Sequence, residues 1–317
     1  MGPPIRPVVI AHRGASGYLP EHTLPAKALA YEMGADYLEQ DVVATRDDEL
    51  VVLHDIHLDR VTNVAELFPG RHRDNGRYYV RDFLLDEIRQ LSVHERTNSE
   101  GARVYPGRYQ DDGERFHVHT FADELAYISD LQSGAGRPVG IYPEIKRPAW
   151  HRQEGVDITR SFLDLLRDFG YESQSDPVYV QCFDDQELVR IRETCGCELK
   201  LIQLIGDNSW GEAESDYDEL RGSEGMARIA RTADGVSPWI EHLFRLDDDG
   251  EPEDAGFVTR AHDLGLAVHP YTFRCDDFPT EFGEFSSLLS FAIDELAVDG
   301  LFTDFPDVVV DAMTSRE

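Results

Sequence analysis

Three carboxylates, two imidazoles and two cationic side chains close short apolar runs in the first half of this chain. His12 and Arg13 follow Val8 to Ala11, Glu39 and Asp41 lie at the end of Tyr37 to Val43, and Glu144 and Lys146 end Val139 to Ile145. Glu39 and Asp41 are one residue apart, so in a strand they share a face. With Glu144 they form a hard oxygen set suited to Mg²⁺ or Ca²⁺ and unsuited to a soft metal. Carboxylates this close repel one another unless a cation intervenes, so one divalent ion is the expected cofactor. A rim of solvated acids would use the same residue types, and the histidines weigh against it. His12 and His54 flank the proposed metal, and two imidazoles titrating near neutrality can supply one base and one acid. Arg13 offers bidentate donors to a phosphate and Lys146 a point charge. Lysine otherwise occurs only at 27 and 200, which suggests that position 146 needs an ammonium.

His54 reaches this group through a hairpin. Val42-Val43 and Leu50 to Leu53 are β-type runs, and the polar stretch Thr45 to Glu49 between them is too short for anything except a turn. If Asp47-Asp48 is a two-residue turn, facing residues have numbers summing to 95, and Asp41 stands opposite His54.

The elements that must position these residues alternate along the whole chain. Strand-like runs are expected at Val8 to Ala11, Tyr37 to Val43, Val139 to Ile145, Val178 to Phe183, Leu199 to Ile205, Gly235 to Trp239, Leu266 to Phe273 and Leu301 to Phe305. Helix-period segments separate them: Ile158, Phe162, Leu165, Leu166 and Phe169 form one apolar stripe, and Phe285, Leu288, Leu289, Ala292 and Leu296 form another. Eight β/α repeats predict a TIM (β/α)₈ barrel, with Leu50 to Leu53 as an extension above it. Strand ends then meet on one rim, where Gln181, Phe183, His269, Tyr271 and Asp304 are candidates to line a pocket. Core positions would read the same way. Residues 56–119 interrupt the rhythm, with one expected helix at Leu85 to Leu91. An insertion there projects from the active-site face, as a substrate-facing cap or as a packed decoration. Thr120 and Asp123 announce a helix from Phe121 to Leu131 through a capping box. Asp207 to Glu224 and Asp247 to Asp254 read as solvated loops.

Length and composition bound the rest. A chain of 317 residues fits one large barrel domain. With 62 acidic and 30 basic residues the net charge is −32, which makes nucleic acid a poor partner. Such acidity with almost no lysine resembles proteins from cells that accumulate molar salt, where screening acts within roughly 3 Å. Folding is therefore expected to depend on salt: the melting temperature should rise with KCl, and full stability at low salt would contradict this. Cys182, Cys195, Cys197 and Cys275 lack both zinc spacing and disulfide-scaffold density, so reduced thiols are expected. No run of about 18 apolar residues is present to span a membrane. The start, MGPPIRPVVIAHRG, has no signal-type apolar region, as expected for a cytoplasmic chain or an exported one freed of its leader. Nothing in the sequence specifies an oligomeric state.

HRGASGYLPEHTLPAKAL, GADYLEQDVVATRDDELVVLHD, GIYPEIK, VYVQCF, VHPYT and GLFTDFPD resemble, in order, the motifs of the glycerophosphodiester phosphodiesterase family, in its periplasmic-type branch. The resemblance runs from Val9 to Asp307. It implies a TIM barrel with an insertion after the second strand, and hydrolysis of glycerophosphodiesters to glycerol 3-phosphate and an alcohol. It also implies Glu39, Asp41 and Glu144 as metal ligands, His12 and His54 as acid and base, Arg13 and Lys146 as phosphate contacts, and Glu21 as a support of the HRG turn. Two departures stand out: Asp47-Asp48 replaces the family's usual Asp-Gly, and the branch's leader is missing. Two rival readings are a glycoside hydrolase using Glu39 and Glu144, which leaves Asp41, both histidines and Lys146 idle, and a phosphate-ligand binding barrel without turnover.

Overall fold

The computed structural model of the chain describes residues 6–110, 116–133 and 136–316. Eight parallel strands follow one another around a barrel, with a ninth paired to its side. In chain order the strands are β1 (Val8–Ala11), β2 (Tyr37–Ala44), β3 (Leu50–Val52), β4 (Gly140–Ile145), β5 (Tyr179–Cys182), β6 (Lys200–Ile205), β7 (Gly235–Pro238), β8 (Phe244–Leu246) and β9 (Pro252–Asp254), which form a separate hairpin, then β10 (Ala267–Val268) and β11 (Gly300–Thr303). The barrel order is β10-β7-β6-β5-β4-β2-β1-β11. Closure between β10 and β11 is irregular: Phe273 N–H donates to Phe302 O at 2.8 Å and Phe302 N–H to Pro270 O at 3.0 Å. The expected strand Leu266 to Phe273 thus shrinks to two residues plus isolated bridges at Tyr271 and Phe273.

Alternation sorts the side chains. Val9, Ala11, Leu38, Val42, Ile141 and Ile145 pack outward under the helices, while Ile10, Tyr142, Ile202 and Phe302 fill the barrel interior. Tyr142 stacks on Tyr179 at 5.0 Å and meets the edge of Phe302 at 4.9 Å, so aromatic rings plug the barrel below the rim. The stripe of helix Ile158–Asp168 is buried through Ile158, Phe162 and Leu166. Helix Phe121–Gln132 begins at the expected capping box of Thr120 and Asp123.

The hairpin differs from expectation by one residue. Val42 pairs with Val52, Val43 with Val51 and Ala44 with Leu50, so the numbers sum to 94 and Asp41 faces Leu53, whose N–H donates to Asp41 O at 2.8 Å. The cause is a three-residue turn: Asp48 N–H bonds Thr45 O, Thr45 N–H bonds Glu49 O, and Asp48 adopts φ 64°. A left-handed third residue is what such a turn requires, and glycine would fit it with less strain. His54 therefore lies just past the paired segment.

The insertion holds a core of its own, in which Ile56, Leu58, Val61, Val64, Val80, Phe83, Ile88 and Leu91 pack against Val43 and Val51. Its expected helix is a single turn, Leu85–Ile88, with another at Val64–Leu67. Two acidic stretches are more ordered than the solvated loops expected of them. Asp207 to Glu224 contains the helical turns Asn208–Trp210 and Tyr217–Leu220, because Tyr217 and Leu220 are buried. Asp247 to Asp254 is largely the tip and return strand of the β8-β9 hairpin, closed by Asp247 as it accepts from Glu251 N–H. Among the described residues no helix is long and apolar enough to cross a membrane, and the four cysteines are free.

Of the three lysines, Lys27 is fully buried, paired with Glu124 at 2.9 Å, and donates to Glu39 O. Glu124 also accepts from Gln40 at 2.9 Å and faces His119 Nε2 at 2.7 Å. Removing one partner of a buried pair leaves the other charge uncompensated, at a cost of about 3–5 kcal/mol. Lys27→Met is expected to lower unfolding stability by that amount in denaturant titrations; a loss below about 1 kcal/mol would show that His119 and Gln40 suffice.

Candidate active site

Strand register builds the site. Asp41 is the lateral partner of Glu144, and Glu144 of Gln181, so three polar side chains form one row across β2, β4 and β5. Ala11 pairs with Leu38 on one side and Thr303 on the other, which puts His12 one step on, level with Glu39 and Asp304. These residues open onto a cavity of about 280 Å³ lined by His12, Arg13, Glu39, Asp41, His54, Glu144, Gln181, Phe183 and Tyr271. Trp210 and Glu212 also line it, from the acidic stretch after β6.

Each histidine is fixed by a carboxylate. His12 Nδ1 lies 2.6 Å from Asp304 Oδ1, and His54 Nδ1 lies 2.7 Å from Asp55 Oδ1. A carboxylate only accepts, so Nδ1 carries the proton and Nε2 of each ring keeps its lone pair. Burial pushes the His12 pKa down to about 3, with the charge of Arg13 adding and Asp304 opposing. Burial, Arg13 and Lys146 likewise lower His54, against Asp55 and Asp41. Burial and the neighbouring cations thus favour the neutral form of both rings.

The HRG turn is strained to place Arg13. Arg13 and Gly14 have φ values of 61° and 88°, and a Cβ on Gly14 would meet Ala26 backbone at 2.8 Å. Arg13 N–H donates to Glu39 Oε2 at 2.7 Å, and its guanidinium donates to Glu21 at 3.0 Å. Glu21 also accepts two bonds from Arg96 of the insertion, whose Nη1 reaches Asp55 at 2.6 Å. One insertion guanidinium thereby links the supports of Arg13 and His54.

The carboxylates are held by protein donors. Gln181 donates to Glu39 at 3.0 Å, His22 Nε2 stands 2.7 Å from Asp41 Oδ2, and Lys146 Nζ lies 2.9 Å from Glu144. Among the described residues, no three Asp, Glu, His or Cys side chains are drawn into a ready coordination cluster. The donor set nevertheless fits a divalent cation. Asp41 Oδ1 is buried without a hydrogen-bond partner, and the three oxygens-only side chains share one cavity wall. Burial raises Glu39, with Asp41's charge adding, and raises Glu144 against the pull of Lys146. Ionising them together is what a bound cation would relieve.

Two of the expected site residues are not among those lining this cavity. Lys146 is 2% exposed and stands against Glu144 at 2.9 Å, with its Nζ buried and making no hydrogen bond. His269 lies below the cavity in the aromatic plug, where its Nδ1 bonds Tyr142 OH at 2.8 Å. Asp304 supports His12 and is itself bound by Arg274 at 2.7 Å and Arg108 at 2.8 Å. Sequence reasoning missed His22, Asp55, Arg96 and Glu212. The His54-Asp55 adjacency and the His in PEHT were visible signals; the other two depend on how long loops fold back.

The chain matches the glycerophosphoryl diester phosphodiesterase family over residues 12–308. A glycerophosphodiester phosphodiesterase of Haemophilus influenzae is 41% identical over 325 residues, covering 96% of this chain and 89% of that protein. A Silicibacter pomeroyi protein superposes with a TM-score of 0.74 at 24% identity, covering 99% of this chain and 95% of the other. An Oleispira antarctica phosphodiesterase, solved with its product sn-glycerol-3-phosphate, superposes at 0.63 with 20% identity over 98% and 97% of the two chains.

Proposed function

We propose, from the premise that this chain belongs to the glycerophosphoryl diester phosphodiesterase family, that it hydrolyses glycerophosphodiesters to glycerol 3-phosphate and an alcohol by histidine acid/base catalysis. The supporting observation is the convergence of His12, His54, Arg13 and three carboxylates on one cavity. In this reading residues 1–317 form one catalytic domain, and 56–119 form its cap.

A divalent cation, Ca²⁺ or Mg²⁺, bound by Glu39, Asp41 and Glu144 would neutralise the phosphate oxygens as charge grows on them. Arg13 contributes to the same end, being fixed by Glu21 so that its charge does not have to be ordered during reaction. Lys146 balances the charge of Asp41 and Glu144 beside the phosphate site. His54 Nε2 accepts the proton of the glycerol 2-hydroxyl as that oxygen attacks phosphorus. The bond to the alcohol breaks, and His12 Nε2 gives its proton to the departing oxygen. The negative phosphodiester between the rings raises their proton affinity, so that the acid is charged when substrate is bound. Water then opens the cyclic phosphate with the roles reversed. Attack by a neighbouring hydroxyl exploits the high effective molarity of an intramolecular step.

The glycosidase alternative loses its basis with the family match, and Glu144 is engaged by Lys146. Release of glycerol 3-phosphate from a panel of glycerophosphodiesters tests the reading; a folded enzyme that releases none from any member contradicts it.

A further inference from the structure

A second cavity, of about 180 Å³, adjoins the first and shares His12, Arg13, His54 and Arg274 with it. The carboxylates that would hold the cation line only the first. The second is walled on its far side by the insertion, through Glu95, Arg96, Val104, Tyr105 and Arg108. We propose that this second cavity receives the leaving alcohol of the diester and is built for a hydroxyl-rich head group, with Glu95 as its specificity residue.

The position follows from the reaction centre. A diester has two arms on one phosphorus; with the glycerol arm set beside the cation ligands, the other arm extends past His12 and His54 into this neighbouring space, which both rings also line. The chemistry follows from the wall. Arg96 is committed to Glu21 and Asp55, Arg108 to Asp276 and Asp304, and Arg274 to Asp304. Glu95 differs from these paired groups. It is 7% exposed, its Oε1 is buried without a hydrogen-bond partner, and no cation among the described residues pairs with it. Burial, with Glu21 nearby, raises its pKa to about 7 against the pull of Arg108 and Arg103. An unpartnered acceptor buried in a cavity is costly until a donor arrives. A quaternary ammonium would bring no N–H or O–H to that acceptor, and it would face four guanidiniums as well as the carboxylates of Glu21, Glu95 and Asp304. Hydroxyls can donate to Glu95 and accept from the arginines, and the Tyr105 ring, already stacked under Arg108 at 3.7 Å, offers a flat apolar wall for a polyol backbone.

The proposal rests on the phosphodiesterase reading and is tested separately from it. Kinetics on glycerophosphoglycerol, glycerophosphoinositol and glycerophosphocholine are compared for the wild-type chain, Glu95→Gln and Glu95→Ala, with melting temperatures confirming that each is folded. The wild type is expected to favour the two hydroxylated substrates in kcat/KM. Glu95→Ala should shrink that preference by about tenfold, chiefly through KM. Glu95→Gln, which keeps one acceptor oxygen, should fall between. A wild-type preference for choline, or a loss in Glu95→Ala that is equal for all three substrates, overturns the proposal while leaving the phosphodiesterase reading intact. Failure of every substrate with the wild type overturns that reading itself.

Discussion

Replacing His12 by alanine is expected to lower kcat/KM for a natural glycerophosphodiester by about 10²–10⁴-fold, the usual contribution of a positioned acid or base. The same loss is expected for His54→Ala, and the two variants should separate when the leaving group changes. An alcohol of low pKa departs without a proton, so a nitrophenyl diester of glycerol phosphate should restore most of the rate to whichever variant has lost the acid. In the assignment above this is His12→Ala. Rescue of His54→Ala instead would exchange the roles; rescue of neither would remove the acid/base assignment. Asp304→Asn provides an internal control, because it keeps the shape beside His12 Nδ1 at 2.6 Å but removes the charge that favours the imidazolium. Its effect on the pH profile should be largest on the limb on which the acid must be protonated.

Substituting a carboxylate should cost the chain its cation. Asp41→Asn is expected to weaken binding of Ca²⁺ or Mg²⁺ by at least about 100-fold in calorimetric titration, since the buried Oδ1 that lacks a partner then becomes part of a neutral amide. Thermal melting offers a reading independent of turnover. A cation at about 100 times its dissociation constant stabilises the folded chain by roughly 2.7 kcal/mol. That upward shift should be present in the wild type and lost in Asp41→Asn. Equal shifts in both proteins would place the ion elsewhere.

What the sequence conveyed was mainly what strand geometry dictates. Glu39 and Asp41 share a face because side chains alternate, and a parallel barrel brings Glu144 to the same rim, whereas the β2-β4 register that sets Asp41 beside Glu144 is known only from the fold. The barrel followed from eight short apolar runs, and the helix from Phe121 from its capping pair. The one-residue error in the hairpin shows where this stops. Asp48 at φ 64° turns an apparent two-residue loop into a three-residue one, a choice of backbone conformation that residue types leave open. His269 and Gln181 show a second limit. Both are polar residues on late strands, yet one is in the aromatic plug and the other in the cavity, because depth along a barrel depends on shear rather than on pattern. Arg96, Arg108 and Glu95 were illegible for a third reason: a long insertion with little regular structure returns them to the barrel mouth by tertiary packing alone. The three lysines also separate only in three dimensions, into a buried partner of Glu124, a charge beside Glu144 and a cap on Asp176 O at 2.9 Å.

Release of sn-glycerol 3-phosphate from a glycerophosphodiester, measured before chelation, after exhaustive chelation and after return of Ca²⁺ or Mg²⁺, in molar KCl, tests the central claim most directly. Activity should fall by roughly 10³-fold or more on chelation, in keeping with several kcal/mol of charge stabilisation, and should return with one of the two ions. Undiminished release from the chelated protein would contradict the role given to Glu39, Asp41 and Glu144.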